Sequence, residues 1–329
     1  MKLIIQIPCY NEAESLPIML AQLPRHVTGF DSVEWLVIDD GSTDNTVKTA
    51  KNHGVHHIVR HSHNQGLAQG FMTGLDTCLQ LGADVIVNTD ADNQYNAEDI
   101  PSLVAPIIKG NAEIVIGARP IDTIKHFSPI KKMLQKLGSW VVRVTSKTNI
   151  PDAPSGFRAI SRAAAQKLNV FSDYTYTLET IIQAGRNNMT VTSVPIRVND
   201  EMRPSRLVKS IPSYIKHSII TIVRIFVIYC PFRFFGSIGA ILLLIGFLIG
   251  FRFLWFYLNG DGAGHIQSVI LSGVFLGIGF QTILIAFIAD LLAANRKLLE
   301  KLRYQIKVVD ELKSPRKSVV KENGHEHIK

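Results

Sequence analysis

Cysteine is scarce in this chain of 329 residues. The three cysteines, Cys9, Cys78 and Cys230, are odd in number and far apart in the sequence. They give neither a disulfide framework nor the thiol spacing of a zinc site, which favours a reducing compartment. The apolar run at the N-terminus, residues 3–5, is too short for a secretory signal. We therefore expect the N-terminal part of the chain in the cytoplasm.

Long apolar runs are missing from the first two thirds of the chain and concentrate in the last third. Residues 234–258 are interrupted only by Arg252, and residues 266–289 carry Gln267 and Gln281 as their strongly polar members. A helix of ~20 apolar residues crosses a bilayer. The alternative is a pair of helices buried in a large core. We predict a membrane hairpin over residues 234–294, with two transmembrane helices.

Basic residues are absent from the link between the two runs, residues 259–265, although the chain carries a formal charge of +8. The positive-inside rule therefore predicts a two-span membrane protein with both termini in the cytoplasm. We predict a juxtamembrane amphipathic helix at 211–233 and a basic cytoplasmic tail at 295–329. This distribution explains most of the charge, so we expect no nucleic acid partner. The flanking basic residues are Arg203, Arg206, Lys209, Lys216, Arg224 and Arg233 before the runs, and Arg296, Lys297, Lys301, Arg303 and Lys307 after them.

The first part of the chain alternates short apolar strands with helices. This alternation predicts an α/β fold with a mostly parallel sheet, which we place in a domain of residues 1–210. Ligands bind such sheets at the carboxyl ends of the strands. The predicted strands are 3–8, 34–38, 58–59, 84–89 and 113–116, and the predicted helices are 12–23, 43–53, 66–81 and 99–109.

A basic amphipathic helix is predicted after the alternation stops. Apolar residues recur at helical spacing from Ile130 to Val144, with Lys131, Lys132, Lys136, Arg143 and Lys147 between or beside them. Such a helix can lie on an anionic membrane surface. It can equally pack on the sheet with a solvated basic face, and the sequence leaves both readings open.

Two acidic positions stand out at the end of a predicted strand. Asp90 and Asp92 are two residues apart, so both carboxylates can turn towards one hard cation, and Gln94 can add an oxygen. Mg²⁺ or Mn²⁺ held there would neutralise a leaving diphosphate. A solvated turn gives the same short pattern.

The ends of the first two strands also carry polar motifs. Pro8 to Glu12 follows the first strand, and Asp39 to Asp44 follows the second. Asp40 can accept hydrogen bonds from a base or a ribose. Ser42 or Thr43 is expected to cap the following helix.

Taken together, these motifs resemble glycosyltransferase family 2, and within it the polyprenyl-phosphate glycosyltransferases. The resemblance covers roughly residues 1–210, and the two-helix hairpin is similar to that of bacterial members acting on undecaprenyl phosphate. The matching motifs are Pro8-x-Tyr10-Asn11-Glu12, Asp39-Asp40-Gly41-Ser42-Thr43-Asp44, Asp90-Ala91-Asp92-x-Gln94, Gly117-x-Arg119 and Ser155-Gly156-Phe157-Arg158.

The resemblance implies a GT-A fold and inversion at the anomeric carbon. It implies catalytic roles for Asp92 and Arg119, the latter contacting phosphate, and metal ligation by Asp90, Asp92 and Gln94. The family places a basic residue after Gly-x-Ser near the membrane. Here Arg203-Pro204-Ser205-Arg206 stands instead, so Arg206 is the candidate. The implied nucleotide- or cofactor-binding residues are Pro8, Tyr10, Glu12, Ile38, Asp40, Asp90, Ala91 and Arg206.

The expected reaction is sugar transfer from a GDP- or UDP-linked donor to a membrane polyprenyl phosphate. A lipid phosphate is already anionic, so it needs no strong general base. Arg119, Arg158, Arg203 and Arg206 are candidate phosphate clamps, because guanidinium groups bind phosphate bidentately, or else surface arginines.

Other functions stay open. With a hydroxyl acceptor, lipid or polysaccharide, Glu179 is the candidate base, or else a helix-surface glutamate. The sequence lacks the Arg-Trp pair typical of processive synthases. A non-catalytic membrane scaffold is the remaining alternative, and a homo-oligomer is compatible with each of these functions.

Overall fold

The computed structural model describes residues 1–121, 129–170, 176–199, 211–260 and 263–313. The candidate residues Arg203 and Arg206 lie outside these ranges. The chain divides into two compact units, one of residues 1–204 and 302–329 and one of residues 205–301. The predicted domain limits at residues 210, 233 and 294 stay predictions.

The first unit contains one mixed β-sheet whose described strands lie in the order β3-β2-β1-β4-β6-β5-β7. The pairs β1–β2, β2–β3, β1–β4 and β5–β7 are parallel, which confirms the mostly parallel sheet. The strands are β1 (Lys2–Cys9), β2 (Ser32–Asp39), β3 (His57–Arg60), β4 (Val85–Asn88), β5 (Ile114–Ala118), β6 (Arg158–Ser161) and β7 (Val191–Pro195).

Strand β6 is antiparallel to both of its neighbours, β4 and β5. It returns the chain to the middle of the sheet after a long excursion and brings its start, Arg158, opposite Asn88 at the end of β4. The sequence pattern predicted neither β6 nor β7. The antiparallel insertion therefore places the motif around Gly156 beside the carboxyl end of β4.

Helices cover the sheet and complete the second unit. They are α1 (Leu16–Gln22), α2 (Thr46–Asn52), α3 (Leu67–Gln80), α4 (Ile100–Ile108), α5 (Pro129–Ser146), α6 (Arg162–Lys167), α7 (Thr177–Arg186), α8 (Ile211–Tyr229), α9 (Pro231–Leu258) and α10 (Ile266–Lys313), with 3₁₀ turns at Ala97–Asp99 and Ala263–His265.

The core of the first unit is built on the central strands. Leu3, Ile4, Ile5 and Ile7 of β1 are all completely buried. A strand buried on both faces is typical of a parallel sheet covered by helices on both sides, which is why residues 3–7 of β1 are apolar except for Gln6. Each fully buried aliphatic side chain contributes about 1.5–3 kcal/mol.

Helices α9 and α10 contain two candidate membrane spans, Pro231–Leu258 and Ile266–Val309. Only 11% and 17% of their most apolar windows is buried, so these described helices are not the core of a soluble domain. The two helices approach closely where Gly246 faces Leu276, since a Cβ on Gly246 would lie 2.9 Å from the leucine Cγ. The Ser272 hydroxyl donates to the Gly246 carbonyl at 2.7 Å across this contact.

Candidate functional site

The candidate site lies where three neighbouring parallel strands end. Strand β1 lies between β2 and β4 and runs parallel to both, so their carboxyl ends share one edge of the sheet. This edge collects the motifs at residues 8–12, 38–44 and 90–94, as expected for ligand binding in open α/β sheets. Pro8, Glu12, Asp90, Asp92 and Gln94 are partly exposed there, and Tyr10 is 41% exposed.

The loops after β1 and β2 are fastened to each other. The Asn11 N–H donates to the Ser42 hydroxyl at 2.9 Å, and the Thr43 N–H donates to the Asn11 side-chain oxygen at 2.8 Å. The Glu12 N–H donates to the Thr46 hydroxyl at 2.8 Å. Ser42 and Thr43 therefore join two loops. Their expected role as helix caps is wrong, because α2 begins at Thr46 behind an Asn45 cap position.

The Asp40 carboxylate is buried and fixes the loop after β3. Its Oδ1 accepts from the Gln65 N–H at 2.8 Å and lies 2.8 Å from the His61 Nδ1, and its Oδ2 accepts from the Gly66 N–H at 2.9 Å. The other His61 nitrogen lies 3.1 Å from the Thr73 hydroxyl. In these contacts the hydrogen-bond partners of the Asp40 carboxylate are protein groups, and they hold the loop at the edge of the site. Contact of Asp40 with a base or ribose stays a prediction.

Two other residues that the resemblance assigns to nucleotide binding, Ile38 and Ala91, have buried side chains. The Ile38 side chain is completely buried, and Ala91 is 4% exposed. Only the backbone at these positions can reach a ligand without rearrangement. Their nucleotide contacts also stay predictions.

Asp90 lies at the centre of the acidic cluster. This residue is only partly exposed, and desolvation followed by the nearby Asp92 charge raises the pKa of Asp90. A hydrogen bond from Tyr95 acts in the opposite direction. The Tyr95 hydroxyl also accepts from the Gly156 N–H at 2.9 Å, so one side chain positions both Asp90 and the neighbouring loop.

The space beside Asp90 depends on a residue without a side chain. A Cβ on Gly156 would lie 2.8 Å from one Asp90 carboxylate oxygen and 3.1 Å from the other. Asp92 completes the pair, and its Oδ1 accepts from the Gln94 N–H at 3.1 Å. The left-handed backbone of Asn93, with φ of 58°, makes the turn between them.

These donors fit a magnesium or manganese ion that also takes phosphate oxygens. Mg²⁺ is usually bound by one or two carboxylates together with substrate phosphates and water. Among the described residues no group of three or more His, Cys, Asp or Glu could hold a metal, which argues against an all-protein cage. Burial and the neighbouring Asp92 charge both disfavour the ionised form of Asp90, and a divalent cation bound beside the two carboxylates would stabilise that form.

Arg119 lies in a buried bidentate ion pair. Its Nε and Nη2 donate to the Asp152 carboxylate at 2.7 and 3.0 Å, and its backbone N–H donates at 3.1 Å. The two side chains are only 6% and 1% exposed. This pair ties the end of β5 to the loop before β6. Contact of Arg119 with phosphate stays a prediction. A phosphate would have to share the Arg119 guanidinium with the Asp152 carboxylate.

Arg158 and Glu179 are both more buried than a surface residue would be. Arg158 is completely buried and donates to the Thr180 hydroxyl at 2.6 Å and to the backbone oxygen of Ser155. It is therefore a core residue, and its expected role as a phosphate clamp is wrong for this conformation. Glu179 is 7% exposed, which contradicts the helix-surface alternative.

A buried polar chain runs behind the acidic pair. The Gln6 amide donates to the Asn88 oxygen at 2.9 Å, and the Asn88 amide donates to the Tyr176 hydroxyl at 2.8 Å and to the Gly156 carbonyl at 2.9 Å. The Tyr176 ring stacks on Phe71 with centroids 3.9 Å apart. This chain fixes Gly156 from the side opposite Tyr95, so the loop beside Asp90 has little freedom.

The family model for glycosyl transferase family 2 matches residues 4–168, which include every motif at the shared sheet edge and Gly156. The chain belongs to this family. The match ends before α7 and before the candidate membrane spans.

Three curated relatives of this family 2 chain act, by their names, on lipid phosphates. A UDP-N-acetylglucosamine–dolichyl-phosphate N-acetylglucosaminyltransferase from Methanococcus voltae is 32% identical over 58% of this chain and 83% of the relative. A polyprenol monophosphomannose synthase from Mycolicibacterium smegmatis is 28% identical over 59% and 76%. A dolichol-phosphate mannosyltransferase from Pyrococcus furiosus is 26% identical over 79% and 73%.

Solved structures support the fold. Glucosyl-3-phosphoglycerate synthase from Mycobacterium tuberculosis, crystallised with Mn²⁺, UDP and its product, aligns with a TM-score of 0.51 at 18% identity. The alignment covers 67% of this chain and 79% of that one. The similarity confirms the GT-A type of sheet for this family 2 member.

Four residues that support the family 2 motifs are not predicted from the sequence. These residues are Asn88, Tyr95, Asp152 and Tyr176. The sequence does contain a signal for Asn88, because an amide at the end of an otherwise apolar strand must find buried hydrogen-bond partners. Tyr95 and Tyr176 had none, since a tyrosine in a short polar segment is as common on a surface as in a core.

Proposed function

We propose that this family 2 glycosyltransferase transfers a sugar from a nucleotide-sugar to a polyprenyl phosphate in the membrane. The observation that carries the proposal is the acidic pair Asp90 and Asp92, partly exposed at the shared edge of three parallel strands. Such a pair suits a donor whose leaving group is a nucleoside diphosphate, since its phosphates would share a divalent cation with the carboxylates.

The acceptor is inferred from two independent features. The relatives named above carry dolichyl phosphate or polyprenol in their names. The chain also has two helices long and apolar enough to cross a membrane. An enzyme whose acceptor has a long isoprenoid tail must work at the bilayer surface, and a membrane anchor keeps it there.

The chemistry needs positioning more than proton transfer. A phosphate oxygen of the lipid attacks the anomeric carbon, and the bond from that carbon to the donor's β-phosphate oxygen breaks. The nucleoside diphosphate leaves with the electron pair, so the configuration inverts and no proton has to move. Catalysis then depends on holding the reactants in line and on stabilising the leaving group.

The chain's own residues would divide this work. Asp90 and Asp92, with Gln94 beside them, would hold Mg²⁺ or Mn²⁺. When bound, this cation would stabilise the charge that develops on the leaving diphosphate. Tyr10 presents an exposed ring at the end of β1 and would pack on the nucleotide. The hydrogen-bonded side chains of Gln6, Asn88 and Tyr176 keep Gly156, next to Asp90, in place.

We also propose that α9 and the apolar part of α10 span the membrane as a hairpin. The part of the chain that contains the β-sheet, here called the sheet domain, and both termini would then lie in the cytoplasm. The absence of Lys and Arg between residues 259 and 265 supports this orientation, as does the density of basic residues on either side of the hairpin. Attachment of a cysteine-reactive, membrane-impermeant label to a cysteine placed in the 259–265 loop would test it in intact cells.

The test of the reaction is transfer of radiolabelled sugar into organic-extractable lipid. The purified full-length protein would receive polyprenyl phosphate, Mn²⁺ or Mg²⁺, and each member of a panel of GDP- and UDP-sugars. Label in a lipid that is labile to mild acid would establish the reaction and identify the sugar at the same time.

The controls are EDTA and a pair of matched variants. Asp92→Asn keeps the shape of the side chain and should lower transfer about a hundredfold or more. Asp31→Asn changes an aspartate whose side chain is 92% exposed and should leave transfer unchanged. Donor binding without label in any lipid would contradict the proposal and favour a hydroxyl acceptor or a non-catalytic scaffold.

A further inference from the structure

Helix α5 has two apolar faces, and only one of them is packed. The inner face is buried against the first unit, with Leu134 7%, Val141 1% and Val142 0% exposed. The outer face carries a second stripe that is far more exposed: Met133 61%, Leu137 41%, Trp140 51% and Val144 44%. Their spacing of four, three and four residues places them on one line along the helix. A helix packed only on a sheet would present polar residues there.

The charged residues of α5 itself all have the same sign. Residues 129–147 contain no Asp or Glu, while Lys132, Lys136, Arg143 and Lys147 lie beside the exposed apolar residues. An apolar line with a tryptophan at its centre and basic residues at its sides is typical of a helix at a membrane interface. Anionic headgroups would neutralise the basic residues while the stripe enters the acyl boundary.

We propose that the outer face of α5 docks on the anionic surface of the bilayer, as a membrane contact separate from the spans. The candidate spans are part of the same chain, so their insertion, as proposed above, would anchor this molecule to a bilayer. A second copy of the chain is a poorer occupant. A symmetric contact through this stripe would bring two sets of basic residues together, and juxtaposed like charges oppose association.

The inner face of α5 connects this surface to the site. The Ala153 N–H donates to the Ser139 hydroxyl of α5 at 3.1 Å, and the preceding residue, Asp152, holds Arg119. Docking of α5 would therefore fix the loop that leads to Gly156. The benefit for a lipid acceptor depends on the proposed function, whereas the docking itself does not.

The experiment measures the depth of a probe on α5 in the full-length protein reconstituted into vesicles. An environment-sensitive fluorophore would be attached to Leu137→Cys in a Cys230→Ser background. The two remaining native cysteines, Cys9 and Cys78, are 3% and 0% exposed and should not react. Vesicles of phosphatidylcholine with and without phosphatidylglycerol would contain brominated lipid as a membrane quencher, and iodide would serve as the aqueous quencher.

The matched control is Ile18→Cys on α1, a helix that has no charged residue. Ile18 is 43% exposed, against 41% for Leu137. With phosphatidylglycerol present, brominated lipid should quench the label at position 137 and iodide should not, while the label at position 18 should show the reverse. Replacing Arg143 and Lys147 with Gln should reduce the ratio of docked to undocked label about fivefold for each residue.

Two results would overturn the proposal. One is a label at position 137 that iodide reaches as readily as it reaches position 18, with no quenching by brominated lipid. The other is a label that neither quencher reaches and that transfers energy to a label on another copy, which would assign the stripe to a contact between copies. Both readouts are independent of sugar transfer, so failure of the proposed function would leave this test intact.

Discussion

The hydroxyl of Tyr95 accepts a hydrogen bond from the backbone N–H of Gly156 at 2.9 Å, and the same side chain acts to lower the pKa of Asp90, against the effect of burial. One phenol thus joins the turn after β4 to the loop before β6. These segments are about sixty residues apart in sequence and meet only because β6 inserts next to β4. The surroundings of Asp90 therefore depend on a contact between two segments that are far apart in the sequence.

Removing only this hydroxyl should weaken both the fold and the site. Tyr95→Phe keeps the stacking on Phe157, whose ring centroid lies 5.2 Å away, but leaves the buried Gly156 N–H without its acceptor. The loss should be ~1–3 kcal/mol of unfolding free energy. We expect a lower thermal midpoint together with lower transfer activity. An unchanged midpoint with normal activity would show that this contact is dispensable.

Adding a methyl group next to Asp90 should affect metal binding more than stability. In Gly156→Ala the new Cβ would lie 2.8 Å from an Asp90 oxygen, so the carboxylate must move. We expect weaker Mn²⁺ binding by calorimetry. The control is Gly138→Ala in α5, where a Cβ meets nothing within 4 Å, and this variant should bind Mn²⁺ normally. Equal affinity in both variants would contradict the assignment of Asp90 as a ligand.

Metal binding should depend on pH because the pKa of Asp90 is raised by burial and by the Asp92 charge. A cation binds the ionised carboxylate, so Mn²⁺ affinity should increase as the pH rises through this pKa, and binding should release protons. Calorimetry in two buffers of different ionisation enthalpy measures that release. Asp90→Asn should abolish the proton release. Release that persists in this variant would assign it to another group.

The same raised pKa has an opposite effect on the stability of the metal-free protein. The native state holds the Asp90 proton more tightly than the unfolded chain does. This contribution is therefore fully present below the ordinary carboxyl pKa and is lost as the pH rises through the raised one. Thermal midpoints measured with EDTA should show a smaller decline over this range in Asp90→Asn than in the original protein.

The ion pair of Arg119 and Asp152 should behave as a buried unit. Either Arg119→Gln or Asp152→Asn leaves the partner charge buried without compensation, so each should cost about 3–5 kcal/mol. The double variant should cost less than the sum of the two. Thermal midpoints of all four proteins measure this coupling. Strict additivity would show that the two residues stabilise the fold independently.

The same variants test the predicted phosphate contact. If Arg119 also contacts phosphate, Arg119→Gln should lower transfer per folded molecule more than Asp152→Asn does. Equal effects of the two variants would limit Arg119 to its structural pairing with Asp152.

The sequence predicts the part of the fold in which local pattern and tertiary structure agree. The strands β1 to β5 are apolar runs bounded by polar turns, and each is found within a few residues of its expected position. The short strands β6 and β7 were not predicted. Strand β6 has only four residues and begins with Arg158, whose charge is compatible with a strand only because buried hydroxyl and carbonyl groups surround it.

The residues of the candidate site also divide into those whose position follows from the local sequence and those whose position does not. The positions of Asp90 and Asp92 follow from the pattern of an apolar strand ending in carboxylates. The burial of Arg119, Arg158 and Glu179 does not, because burial of a charged side chain depends on partners that distant segments supply. Helix α5 illustrates a third case, since its periodicity was visible while the exposure of its outer apolar stripe needed the structure.

Two acceptors that differ only in the phosphate would show whether the enzyme uses a lipid phosphate. The purified protein would receive labelled nucleotide-sugar and divalent metal with either polyprenyl phosphate or the corresponding polyprenol. We expect transfer to the phosphate, abolished by Asp92→Asn, and none to the alcohol, because the alcohol would need a base to accept its proton. Transfer to the polyprenol at an equal rate would contradict this expectation.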